Sequence, residues 1–289
     1  MAKESILAKA QKSENLKELR ENYKIRALLL GESGGGKTTS AISLPGKKLV
    51  VDFDGRAASV SGAEGVDVIR LYEPDPDKPT AWNEGINLRD EIWAALKNNT
   101  FNYEGVVWEG FSSMTRYCMN FCLSLRTKSG QLAERGFGDT PAQHHYGPYM
   151  AEMSKFIFNC ISMPVHTVFT GHYYVYEDAT TNKVEYWPKL FGNIRTEVGS
   201  WFNEVYSCYN LTQTVKEGDK QVKKQKYYWQ TASDIKYGFL KSSLNQLGKY
   251  WQSPVELNPD DKVWGFEKLL DLRFGNSTDS NIEPVKKER

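Results

Sequence analysis

Residues 31–39 read Gly31, Glu32, Ser33, Gly34, Gly35, Gly36, Lys37, Thr38 and Thr39. Gly31 and Gly36 enclose four residues, and a lysine and a hydroxyl residue follow, which is the spacing of a P-loop. Glycines let the backbone wrap a polyphosphate with its N–H groups turned inward. A following helix aims its positive end at the same anion. Lys37 can reach the β- and γ-phosphates, and the Thr38 hydroxyl can ligate Mg2+. A plain Gly-rich turn is the alternative, and the context speaks against it. The apolar run at 27–30 precedes the loop as a buried strand would, and a helix-compatible run at 37–44 ends at Pro45 and Gly46.

Other residues have the type and place to serve the same chemistry. Asp52 and Asp54 close the apolar run at 48–53. Acids at the carboxyl end of a buried strand, one element after a P-loop, face the nucleotide crevice; a solvated Asp-Gly turn is the alternative. Glu109 ends the run Gly105, Val106, Val107, Trp108, and a P-loop enzyme needs an acid there to hold Mg2+. The usual residue is Asp, Trp108 is bulky for the place, and Asp54 is the next candidate. His172 follows an apolar run at 164–170, where a polar residue can sense the γ-phosphate; a satisfied structural histidine is the alternative. His144 and His145 are adjacent, but no Cys or Asp stands at ligand spacing, so no metal is expected there. Cys118, Cys122, Cys160 and Cys208 form no zinc pattern. The first two share a helical apolar stripe with Met114 and Phe121, and Cys160 shares one with Met153 and Ile157. Core thiols are therefore expected.

These side chains need strands to carry them and helices to cover the strands. Strand patterns at 27–30, 48–53, 66–71, 105–109 and 164–170 alternate with helix patterns at 37–44, 83–97, 112–125 and 150–162. Such alternation around one P-loop predicts an α/β fold with a mostly parallel central sheet flanked by helices. Two C-terminal antiparallel β-hairpins follow, one at 173–186 with its turn at 178–182, the other pairing 203–215 with 221–231. Lys220, Lys223, Lys224 and Lys226 make the second basic, which suits a solvated face as well as nucleic acid. A short helix is expected at 263–270 and a loop at 74–79. The long polar stretch at 126–147 holds Arg126, Lys128, Arg135, His144 and His145 with Phe137 and Tyr146. Cations among aromatics suit single-stranded nucleic acid, and a solvated connector is the alternative. Residues 1–23 read as a helical arm that packs on its own chain or on a neighbouring subunit. Residues 24–274 read as one domain, and 275–289 as a polar tail expected to be disordered.

The net charge of +1 excludes gross charge-driven binding to nucleic acid and leaves only a local patch. No apolar run approaches the length of a membrane span, and the charged N-terminus lacks an apolar signal core. A soluble cytoplasmic protein without a membrane partner is expected.

The P-loop strand, the acid-ended strands at 50–55 and 106–113, the strand ending in His172 and the hairpins after it come in an order that resembles the RecA fold. More narrowly, the chain resembles the bacteriophage-encoded RecA-like ATP-binding proteins of the Sak type, linked to single-strand annealing and recombination. The matching segments are 31–39, 50–55, 106–113, Tyr146 with Gly147, 168–174 and 190–206. The resemblance implies a RecA-like P-loop NTPase that binds ATP, with Gly36, Lys37 and Thr38 on phosphate and Mg2+. It implies that Asp54 activates the attacking water, Glu109 is the Mg2+ acid and His172 the γ-phosphate sensor. A basic residue near 233–241, with Lys236 the choice, would reach a neighbour's nucleotide. Asp54 is shorter than the usual Glu, Glu109 replaces Asp, and the family's Lys-Asp-Arg-like segment reads Ser233, Asp234, Ile235, Lys236. Slow hydrolysis follows, since a 1 Å shift at a catalytic group costs about 10²-fold. The implied protein is an oligomeric ring or filament on single-stranded DNA, in the cytoplasm of a bacterial host, serving phage recombination, annealing or replication with other phage proteins. The rival readings are a helicase or packaging motor, an ATP-stabilised protein-binding module, and a small-molecule kinase, for which no acceptor-site or lid signature is visible.

Overall fold

The computed structural model describes residues 20–73, 79–125, 140–178, 180, 183–217, 220–246 and 251–275. Strand β1 (Arg26–Gly31) is buried along almost its whole length, as a strand covered on two sides must be. Its Leu28 and Leu30 enter one apolar cluster, and its Ala27 and Leu29 enter another. The same alternation divides β2 (Lys48–Asp52), β3 (Val66–Arg70), β4 (Gly105–Glu109) and β5 (His166–Gly171) between two faces. Beyond them come β6 (Tyr173–Asp178), β7 (Lys183–Pro188), β8 (Glu204–Glu217), β9 (Lys220–Gln230) and β10 (Val255–Leu257).

Eight of these strands form one sheet in the order β10-β9-β8-β1-β5-β4-β2-β3. Every neighbour pair from β8 to β3 is parallel. Strand β9 runs antiparallel to β8, and β10 antiparallel to β9. Strand β5 thus separates the P-loop strand from β4. The mostly parallel sheet agrees with the expectation from sequence. The first predicted hairpin is β6–β7, a two-stranded sheet of its own. The second is not an appendage: β8 pairs with β1 over 204–208 before it pairs with β9 over 207–217. Its buried start, Glu204 to Cys208, is core strand, and only its distal half behaves as a ribbon.

One sheet face is covered by α2 (Ala81–Lys97), α3 (Phe111–Leu123), α4 (Gln143–Ile161) and α5 (Ile194–Trp201), through Ile92, Met114, Phe156 and Val198 among others. The other face is covered by α1 (Lys37–Ala41) and α7 (Gly265–Phe274), through Ala41, Phe266 and Leu269. A short α6 (Ser243–Gln246) precedes β10. All four cysteines are free and buried, as expected.

Some boundaries differ from the sequence reading. Helix α1 has five residues rather than the run 37–44. Helix α4 begins at Gln143, not at 150, and carries Pro148 inside it. His145 makes this start possible: its Nδ1 accepts the Ala142 N–H at 3.0 Å, while its own N–H donates to the Ala142 carbonyl. Helices α5 and α6 and strand β10 were not anticipated. The end of the predicted arm docks on its own chain, where Arg20 pairs with Asp271 at 2.7 Å and the Tyr23 ring meets Phe274. The rest of the arm (1–19), the loop at 74–78, residues 126–139, the turn centres and the tail from 276 lie outside the described residues. Among the described residues no helix is long and apolar enough to cross a membrane.

Candidate nucleotide site

The P-loop joins β1 to α1, and two of its glycines adopt a backbone that L side chains avoid. Gly34 has φ 77° and Gly36 φ 83°. Gly31 and Gly35 are small for another reason. A Cβ on either would press into the backbone carbonyl of Cys208 on β8. Asn210, also on β8, donates to the Gly34 carbonyl at 2.8 Å. Strand β8 is thus the floor on which the loop is shaped. Lys37 is buried, and its Nζ donates to the Gly31 and Glu32 carbonyls at 3.1 and 2.9 Å. Burial lowers its pKa, opposed by Cys208, Glu109, Asp54 and Glu32. An ammonium with one donor left and negative neighbours at a distance is suited to an anion.

A cavity of about 290 Å³ opens above the loop, lined by Ser33, Gly34, Gly36, Lys37, Thr38 and Thr39. Asp54, Glu109 and His172 line it from the carboxyl ends of β2, β4 and β5. Gly31, Glu32 and Gly35 do not line it; they shape the loop from behind. Because α1 has only five residues, the loop amides and Lys37, rather than a long helix dipole, make the anion site.

Glu109 is 6% exposed, and its carboxyl is pushed above the usual range, first by burial. Hydrogen bonds from Thr170 and Thr38 and the charge of Lys37 oppose that rise. Its Oε2 is buried without a hydrogen-bond partner among the described residues. An unpaired buried carboxylate oxygen beside the P-loop hydroxyl fits a divalent cation. No group of three metal-ligating side chains exists among the described residues, which suits an ion that takes most of its oxygens from phosphate and water. Thr38 and Glu109 are the residues that would hold it.

Asp52 and Asp54, read together in the sequence, separate in the structure. Asp52 is fully buried; its two oxygens accept the N–H groups of Asp54 at 3.0 Å and Ala57 at 2.8 Å. It fixes the corner after β2, and Asp54 is the one that faces the cavity. Gly110 is the reason they fit: it has φ 91°, and a Cβ there would stand 2.7 Å from Asp54 Oδ1. His172 stands 3.1 Å from the Gly31 carbonyl through Nδ1, which places the ring proton on that nitrogen, and its N–H donates to Ser112 Oγ at 3.0 Å. Burial, then Lys37, lowers its pKa.

Lys236 is not brought to this cavity. It lines another, of about 650 Å³, with Lys183, Trp187, Phe239 and Lys241. Trp108, bulky for its place, points into the core between Phe53, Phe156 and Phe169. Arg56, Ser59 and Tyr227 line the nucleotide cavity and were not singled out. Arg56 stood two residues past Asp54, a signal that was there to find. Tyr227 comes from β9, and its ring lies against Gly36, so that a Cβ there would meet Cδ1 at 2.7 Å. Across Tyr227 a neighbouring cavity of about 580 Å³ shares Gly36 and Thr39 and reaches Asn258 and Trp264.

No curated protein matches the chain. The AAA domain family matches it over residues 23–235, well over half its length. That span holds the P-loop, both acid-ended strands and His172. The chain belongs to the AAA domain family, and the match marks it as a P-loop AAA-type ATPase domain.

Proposed function

We propose that this chain is a RecA-like ATPase that binds ATP with Mg2+, hydrolyses it slowly, and uses the bound nucleotide to grip single-stranded DNA as a ring or filament. The setting is recombination, annealing or replication of a bacteriophage, as in the Sak-type proteins the sequence resembles. The observation that carries the reading is the meeting of Lys37, Thr38, Asp54, Glu109 and His172 around one cavity at the carboxyl ends of parallel strands. Lys37 and the loop amides hold the phosphates, and the nucleoside takes the cavity beyond Tyr227. Mg2+ on Thr38 and Glu109 supplies neutralisation of the developing phosphate charge. Asp54 orients the attacking water, and His172 meets the terminal phosphate. The short Asp54 carboxylate supports slow turnover. The antiparallel β6–β7 and β8–β9 pairs after the His172 strand support the RecA-like assignment.

Support for DNA comes from β6, where Tyr174 and Tyr176 are 42% and 46% exposed, and from Lys183, Lys236 and Lys241 around the nearby cavity. Exposed rings stack on bases, and lysines pair with phosphates. Lys236 stands clear of its own chain's nucleotide, as a residue serving a neighbour's would.

The test is binding of labelled single-stranded DNA with ATP, with ADP and without nucleotide, for wild type and Lys37→Ala, over a range of salt. Tight binding that needs ATP and is lost in Lys37→Ala is expected. DNA binding in no state would sink the recombination reading and favour a protein-binding module. Strong DNA-driven turnover would favour a motor.

A further inference from the structure

The sheet order gives the nucleotide cavity two ends. Tyr227, on β9, closes the end that leads to the larger cavity. Asp54, Arg56 and Ser59, beyond β2, close the other. Strands β8, β1, β5 and β4 lie between β9 and β2. A nucleotide whose nucleoside lies past Tyr227 therefore directs its terminal phosphate toward Arg56.

The position of Arg56 is built. The chain turns after β2 into a short 3-10 helix (Ala57–Ser59), and Arg56 is its first flanking residue, with φ −118°. Both oxygens of buried Asp52 pin this corner, on the N–H groups at either side of Gly55 and Arg56. Ala57 and Val60 anchor the next turn in the core. The side chain is solvent-accessible, and its guanidinium has no hydrogen bond, ion pair or ring contact among the described residues. A fixed backbone with an uncommitted cation at the edge of an anion cavity differs from a paired surface arginine such as Arg20.

We infer that Arg56 is a catalytic residue supplied in cis, its guanidinium binding the γ-phosphate and stabilising the charge that develops there. This rests on the ATP reading above and deepens it. Arginine reaches phosphate as a planar two-donor fork, which lysine cannot copy. A chain carrying this arginine in its own site does not depend on a neighbour's Lys236 for that charge.

The experiment measures binding of ADP and of the β,γ-imido analogue of ATP, both with Mg2+, to the full chain by titration calorimetry. It compares wild type, Arg56→Ala, Arg56→Lys and Lys37→Ala, and then follows phosphate release from ATP. Arg56 is exposed and its guanidinium has no hydrogen bond, ion pair or ring contact among the described residues, so its variants should melt with wild type. In Arg56→Ala, affinity for the imido analogue should fall about tenfold with ADP affinity unchanged, and turnover should fall at least about 10²-fold. Arg56→Lys should recover part of the analogue affinity and little of the turnover. An analogue-to-ADP ratio equal in wild type and Arg56→Ala overturns the inference while leaving the ATP reading intact. If wild type binds neither nucleotide, as Lys37→Ala should not, the ATP reading fails and the inference with it.

Discussion

Glu109 combines two properties that usually exclude each other in a stable core. It is a buried carboxylate, and one of its oxygens has no hydrogen-bond partner among the described residues. Its folded pKa lies above the ordinary value, so the unfolded chain releases the proton first, and the residue weakens the fold as pH rises past that value. Glu109→Gln should therefore raise the melting midpoint of the nucleotide-free protein by a few degrees at pH 7. The same substitution should remove the Mg2+ dependence of ATP binding, because an amide is a poor ligand for that ion. Calorimetry with and without EDTA reads both. His166 acts in the opposite direction on acidification. Its Nδ1 accepts the Ile25 N–H at 3.0 Å, and burial, with Lys24 and Arg26 nearby, lowers its pKa to about 3. The unfolded chain binds this proton below pH 6.5, so stability contributed by the neutral ring is present above 6.5 and is lost as pH falls toward 3. By pH 5 the loss should be about 2 kcal/mol. His166→Asn keeps an acceptor for Ile25 and should flatten that part of a pH series of urea melts.

At the scale of elements, the contact between the P-loop and β8 makes a sharp pair of expectations. Gly31 has no room for a methyl group, since the obstacle is the Cys208 backbone, which cannot move without opening the β1–β8 pairing. Gly31→Ala should cost about 3 kcal/mol through overpacking. Gly147 lies in α4 with nothing near its missing Cβ, so Gly147→Ala should stabilise by about 0.5–1 kcal/mol. Urea unfolding of the two variants gives both signs. The sequence disclosed the P-loop and the acid-ended strands because their signals are local: strand pattern, then the chemical residue at its end. It disclosed β8 as a strand but not as the floor of the loop, since residues 31 and 208 meet only through sheet order. Tyr227 was missed for the same reason. Helix α4 was expected only from 150 because the reciprocal bonds of Ala142 and His145 leave no strong pattern. Strand β10 has three residues, too few to show a period.

For the whole molecule, the nucleotide cavity is lined from the P-loop, the ends of β2, β4 and β5, and β9, by residues spread from 33 to 227. A ligand that joins them should stabilise the fold globally. With ATP and Mg2+ at about 100 times Kd, the gain should be about 2.7 kcal/mol, visible as a higher melting midpoint that Lys37→Ala abolishes. The four thiols offer a different use. Cys118, Cys122, Cys160 and Cys208 are all enclosed, and burial raises the pKa of Cys118, Cys160 and Cys208, so the native chain presents maleimide with no reactive sulfur. A single cysteine placed at Val175, half exposed on β6, becomes a lone attachment point. A dye or spin label there would watch the aromatic ribbon directly, in the wild-type thiol background and without removing a single native cysteine.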